Sequence, residues 1–244
     1  EIQPGEQINV VVPTGNFGNI LAAYYAKNMG VPIAKLICAS NENKVLFDFF
    51  QTGVYDRKDR EFKLTTSPSM DILISSNLER LIYQIAGCDD KKNAELMQAL
   101  KSEGVYEITD AMKAELKDFA AGYATEAQTA ETIHDVYKKT GYVMDTHTAV
   151  AAHVCQEYQE NSGDKTKCVV ASTASPYKFA GSVMAAIDKK YASVDEFDLL
   201  KELSQVSNTE MPNAIKEILN ANILHTLECD VDKMEDTVKA ILEL

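Results

Sequence analysis

The stretch Ile8-Asn-Val-Val-Val-Pro-Thr-Gly-Asn-Phe-Gly-Asn-Ile20 decides how this chain is read. Ile8 to Val12 is a short β-branched run, the pattern of a buried strand. Gly15 and Gly18 then let the backbone turn tightly. Ile20 to Met29 is rich in good helix formers and is closed by Gly30, with Pro32 beyond it. Ile33 to Ala39 reads as a second buried strand. Strand, glycine turn, helix, strand is a βαβ unit, and such units build a parallel sheet with helices on its faces.

Outward from this unit the pattern continues. A short amphipathic helix is expected over Asn43 to Thr52, ending near Gly53. Apolar residues at three- and four-residue spacing predict helices over Leu73 to Ala86, Lys91 to Ser102, Asp110 to Phe119, Glu126 to Lys139 and Thr146 to Gln159. A strand returns at Thr166 to Ser172, followed by a helix over Phe179 to Lys189. Asp195 to Leu244 carries three more helical patterns and a short candidate strand at Ile223 to Leu227. The class is α/β, a parallel sheet with many helices. Residues 1–189 are expected to form the α/β part and 190–244 a helical extension packed on it.

Composition bounds the function. Of 244 residues, 24 are Lys or Arg and 37 Asp or Glu, a net charge of −13 that argues against a nucleic-acid partner, since phosphate backbones call for basic faces. No run of 18 apolar residues exists, so no membrane helix is expected, and Glu1 to Gly5 shows no export signal. The five cysteines are scattered without zinc-ligand spacing, which predicts reduced thiols in a cytoplasmic protein and no metal site.

Two segments carry chemistry. Gly15-Asn-Phe-Gly-Asn19 lies between a strand and a helix, where successive N–H groups and the positive helix end suit a phosphate. A plain glycine-rich turn is the other reading. No Lys-Ser/Thr follows the second glycine, as a nucleoside triphosphate loop needs, and no G-x-G-x-x-G is present for a dinucleotide. Thr173-Ala-Ser-Pro-Tyr-Lys-Phe179 directly follows a strand, where ligands of parallel sheets sit; Ser175 either serves that site or simply caps the next helix. His147 and His153, six apart on one helix, point to opposite sides and do not make a metal pair, so His147 is expected to cap or pack near the cleft. Asp71 and Glu79 either orient neighbouring loops or, as the default, sit at the surface or in caps, and Cys38 and Cys168 are expected in the core.

Pro13-Thr-Gly-Asn-Phe-Gly-Asn19, Ser67-Pro-Ser-Met-Asp-Ile-Leu73, Ser75-Ser-Asn-Leu-Glu-Arg80, His147-Thr-Ala-Val-Ala151 and Thr173 to Phe179, taken in order, resemble threonine synthase. That family has the tryptophan-synthase-β-like fold, fold type II of the pyridoxal-phosphate enzymes, and its members convert O-phospho-L-homoserine and water to L-threonine and phosphate. The resemblance implies pyridoxal 5'-phosphate as cofactor, with Gly15, Asn16, Phe17, Gly18 and Asn19 around its phosphate and Thr173 on its pyridine nitrogen. It also suggests Asn16 as a contact to the substrate phosphate and Arg80 as a second, against a plain salt-bridge role for that arginine. Lys178 either meets an anionic ligand of the cleft, as a substrate contact, or snorkels beside the helix start.

One element of the family pattern has no counterpart. The cofactor lysine of the family lies in a Ser-Phe-Lys-Asp type motif before the glycine loop, and no such motif stands in this sequence. Lys58 sits in a charge cluster at 56–60, and Lys178 belongs to the Thr173 to Phe179 motif, so neither matches. The expectation is therefore a C-terminal portion of a threonine synthase, an incomplete fold with no catalytic residue of its own. It would be inactive alone and prone to self-association through uncovered sheet edges. Two alternatives stay open: another lyase or dehydratase of the same pyridoxal-phosphate group, and a non-catalytic α/β module that binds an anion or a partner.

Overall fold

The computed structural model describes residues 1–58 and 60–243. Two compact units are distinguished, Glu1–Glu210 and Met211–Leu244. In the first, a four-stranded parallel sheet runs in the order β5-β2-β1-β6, with β1 Ile8–Pro13, β2 Ile33–Ser40, β5 Phe119–Tyr123 and β6 Lys167–Val170. Two three-residue strands, β3 Val54–Asp56 and β4 Val105–Glu107, form a separate antiparallel pair. Helices α1 Gly18–Asn28, α2 Val45–Thr52, α3 Leu78–Ile85 and α4 Asp90–Glu103 come early; α5 Asp110–Glu115, α6 Glu126–Thr140, α7 Thr146–Ser162, α8 Ala180–Ile187 and α9 Glu196–Ser207 come later in the chain.

Alternation along the central strands sorts their side chains onto two faces. Val12, Leu36 and Cys38 join α1 to α4 in one buried cluster, whereas Val11, Ile37 and Ala39 pack with Val150, Ala151 and Val154 of α7 on the other. Both faces of the sheet are covered, which is why its strands read as near-continuous apolar runs. Cys38 is fully buried, as expected, while Cys168 is only half-buried because β6 lies at the sheet edge.

The structure departs from the sequence expectations in several elements. The helix expected to run to Phe119 stops at Glu115, and Phe119–Tyr123 is a strand. The helix expected from Leu73 begins at Leu78, because the residues before it are bound to the glycine loop. The strand pair β3–β4 was not expected. Ile223 to Leu227 forms no strand.

Residues 190–210 belong with the first unit rather than with the C-terminal helices: Leu199, Leu200 and Leu203 of α9 are buried and the helix packs on α8. The second unit contains α10 Asn213–Leu219 and α11 Met234–Ile241. Among the described residues no helix is long and apolar enough to cross a membrane.

Candidate functional site

The carboxyl end of β1 leads straight into the glycine loop. Thr14 closes the strand, its N–H donating to Ala39 O (2.8 Å) and its hydroxyl to Val12 O (2.7 Å). The next two carbonyls face the segment 67–77, hereafter the strap. Ser75 Oγ donates to Gly15 O (2.8 Å), and Asn77 Nδ2 and N donate to Asn16 O (2.7 and 3.2 Å). With their carbonyls engaged by the strap, the loop residues pass into α1, whose first N–H groups have no carbonyl within the helix to bond. No side chain caps that end. Such a helix start suits an anion.

Phe17 has φ 64°, a left-handed conformation rare outside glycine, costing about 1–2 kcal/mol. Its ring is buried and stacks with Phe50 and Phe119, each at 6.1 Å between centroids. Ring burial offsets the backbone strain and holds the turn. The side chain of Phe17 therefore belongs to the core, and only its backbone can serve a ligand.

A cavity of about 260 Å³ opens against this loop. Its walls include residues 12–19, Ser69 and Met70 from the strap, His147 from α7, and Thr173, Ala174 and Lys178 beyond β6. Strands β1 and β6 are neighbours in register, Val11 opposite Val170, so the segments leaving them meet at one end of the sheet. The two segments singled out in the sequence thus share one cavity, and Gly15, Asn16, Phe17, Gly18, Asn19, Thr173 and Lys178 all line it. Arg80 does not: it is exposed on α3, outside the lining, with its backbone N–H on Asn77 O. Ser175 caps the short 3-10 turn Pro176–Phe179, accepting from Tyr177 N–H at 3.3 Å.

His147 is buried at the cavity wall. Its Nε2 accepts from Ser69 N–H (3.2 Å), and its Nδ1 faces Asp145 Oδ1 (3.2 Å). Accepting at Nε2 leaves the ring proton on Nδ1, directed at the carboxylate. Asp145 caps α7, its Oδ1 accepting from the N–H groups of His147 and Thr148 and its Oδ2 from the Thr148 hydroxyl. Burial pushes the Asp145 pKa up, but these hydrogen bonds outweigh it, and the group is held below the ordinary carboxylate value. His153 lies further along α7, lining a separate groove with α6.

The strap has its own anchor. Asp71 Oδ1 accepts from Asn41 Nδ2 (2.7 Å), Asn43 Nδ2 (2.9 Å) and Thr65 Oγ1 (2.7 Å), and Oδ2 from Thr65 N–H (2.9 Å). Sequence reasoning missed the pairing of Asp145 with His147 and the clamp of Ser75 and Asn77. For the first there was a signal, an Asp directly before a helix start; for the second the Ser75 to Arg80 motif marked the segment but not its partners, which are main-chain carbonyls 60 and 61 residues away.

Comparison with known proteins gives these features a context. The family model described as "Threonine synthase, C-terminal" matches residues 148–238. Human threonine synthase-like 1 is 42% identical over 209 residues, 85% of this chain and 26% of that protein. The threonine synthase of Saccharomyces cerevisiae is 38% identical over 212 residues, 81% of this chain and 41% of that one. Among solved structures, yeast threonine synthase superposes with a TM-score of 0.80 at 33% identity, covering 97% of this chain and 48% of that one. The pyridoxal-phosphate-bound threonine synthase of Brucella melitensis gives 0.72 at 37%, covering 88% and 46%. The chain thus spans about a quarter of the length of the threonine synthase-like 1 relatives and under half that of the threonine synthase structures. By sequence and by fold, the chain matches the C-terminal region of threonine synthases.

Proposed function

We propose that this chain supplies the cofactor-phosphate cradle and part of the substrate cleft of a pyridoxal-phosphate lyase that converts O-phospho-L-homoserine and water to L-threonine and phosphate. The observation that carries the reading is the glycine loop at a helix start, opening on a cavity shared with Thr173 and Lys178.

The residues fit the cofactor. A phosphate monoester offers several acceptor oxygens and needs close approach to N–H donors. At Gly18 the nearest protein atom to an added Cβ is Asn77 Nδ2 at 3.7 Å, an ordinary contact, so the protein's own packing does not demand glycine there. A ligand lying against the loop would. When bound, pyridoxal phosphate supplies the electron sink for removing and replacing groups along the substrate carbon chain. The chain's own residues bind and orient. The loop N–H groups of Gly18 and Asn19 hold the phosphate. The Thr173 hydroxyl would hydrogen-bond the ring nitrogen and, being neutral, would not enforce its protonation. Lys178 offers an ammonium group to the substrate's anionic end, and Asn16 adds an amide.

The same reading includes self-association. Strands β5 and β6 end the sheet with no further strand bonded outside them among the described residues, and Val169 on β6 is exposed. Such edges favour pairing. A species of twice the chain mass in light scattering is expected, and a monodisperse monomer removes this part of the proposal.

The activity is tested on the full-length protein that carries this region, loaded with pyridoxal phosphate. Phosphate release from O-phospho-L-homoserine, with no ammonia from serine or threonine, is the expected result. Ammonia release without phosphate release would assign a dehydratase instead, and failure to bind pyridoxal phosphate would leave only an anion-binding module.

A further inference from the structure

The imidazole of His147 is placed at the cavity wall yet has both nitrogens engaged. Its Nε2 accepts from Ser69 N–H at 3.2 Å, and its Nδ1 lies 3.2 Å from Asp145 Oδ1. A ring so occupied has no free lone pair to take a proton from a ligand. What it does hold is the strap. Ser69 is the residue whose carbonyl oxygen stands 2.6 Å from the Cβ position of Gly15, so its height over the glycine loop sets the room left there. On the far side the strap is bound to the loop by Ser75 and Asn77. His147 lies on α7, an element otherwise packed on the opposite face of the sheet from α1.

Resting on the cofactor reading above, we propose that His147 is a positioning residue: held by Asp145, it fixes Ser69 against Gly15 and so sets the width of the phosphate cradle. The chain of contacts is Asp145 carboxylate, His147 ring, Ser69 N–H, Ser69 carbonyl, Gly15. Only the acceptor at Nε2 is required of the side chain. Glutamine places an oxygen near that position, and leucine fills similar space with no acceptor.

The test compares wild type, H147Q and H147L by amide hydrogen exchange and by fluorescence titration with pyridoxal phosphate. In H147L, amides 69–72 should lose protection about tenfold or more, while those of β1 and β2 keep theirs, because the Ser69 N–H is left without its acceptor. Affinity for pyridoxal phosphate should fall about tenfold, and H147Q should restore both. Equal protection of 69–72 in the three proteins overturns the proposal, and does so whether or not pyridoxal phosphate binds. Binding to wild type with unchanged affinity in H147L overturns it while leaving the cofactor reading intact. Should H147L not fold, the wild-type ring decides: a two-bond nitrogen–proton correlation must show the proton on Nδ1, and a proton on Nε2 refutes the contact with Ser69.

Discussion

The carbonyl oxygen of Ser69 stands 2.6 Å from the point where a Cβ on Gly15 would sit. Real Cβ atoms do not approach backbone oxygen so closely, so the strap can lie on the loop only because residue 15 has no side chain. Gly15→Ala must therefore push the strap outward. A loss of about 1–3 kcal/mol is expected in denaturant unfolding. An unchanged midpoint would mean that the strap yields freely.

Gly18 is the contrasting case. It opens α1, and an added Cβ would meet no protein atom closer than 3.7 Å. Gly18→Ala should leave stability unchanged or raise it by up to about 1 kcal/mol, through helix propensity and a less flexible unfolded chain. Affinity for pyridoxal phosphate should nonetheless fall tenfold or more. Full affinity, measured by equilibrium dialysis, would show that the ligand does not lie on this loop.

Asp71 holds three side-chain donors on one carboxylate oxygen. Asp71→Ala removes the acceptor of the Thr65 N–H and one of the two acceptors of the Asn43 amide, whereas Asn41 keeps Thr65 and Ser67, and a cost of about 1–3 kcal/mol is expected. Amides of the strap should exchange faster in the same variant. A loss below about 0.5 kcal/mol would indicate that water replaces the carboxylate.

Asp145 should contribute to the acid sensitivity of the fold. Its folded pKa is depressed, because the hydrogen bonds that favour the ionised form exceed the effect of burial. A depressed folded pKa adds stability above the unfolded value, about 3.9, that is lost as pH falls through the folded value. The stability difference between wild type and Asp145→Asn should thus be full above about pH 5 and shrink below about pH 4. A difference that does not change with pH would assign Asp145 a purely steric role.

Thiol reactivity tracks burial. Cys38 is enclosed in β2, and desolvation pushes its pKa up to about 12; burial, with Cys168 as neighbour, does the same for Cys155. Cys88 and Cys229 are exposed. A disulfide reagent should label those two rapidly in the folded protein and Cys168 slowly, with Cys38 and Cys155 reacting only on unfolding. Rapid labelling of Cys38, seen by mass spectrometry, would contradict the buried β2.

The first βαβ unit was legible because two strong local signals coincide: a β-branched run, and a glycine turn before good helix formers. β6 and the motif after it were legible for a similar reason. Strand β5 was not. Phe119-Ala-Ala-Gly-Tyr123 has little intrinsic β preference, and its small residues answer to packing: a Cβ on Gly122 would come within 2.7 Å of Val154 Cγ1 on α7. Strands β3 and β4 are three residues each, too short to show a period.

By itself the sequence determined the chemistry of each wall of the site: main-chain donors at Gly15 to Asn19, a hydroxyl at Thr173, an ammonium at Lys178. These stem from residue type and from position at a strand end, both of which are local properties. Only the tertiary structure decided which walls face one another. It set Thr173 beside the glycine loop through the pairing of β1 with β6, left Arg80 outside, and turned His147 from a helix-start residue into the support of Ser69. Hydrogen bonds to backbone atoms distant in sequence leave no periodicity and require no particular partner residue type, so they form only once the sheet has brought the segments together.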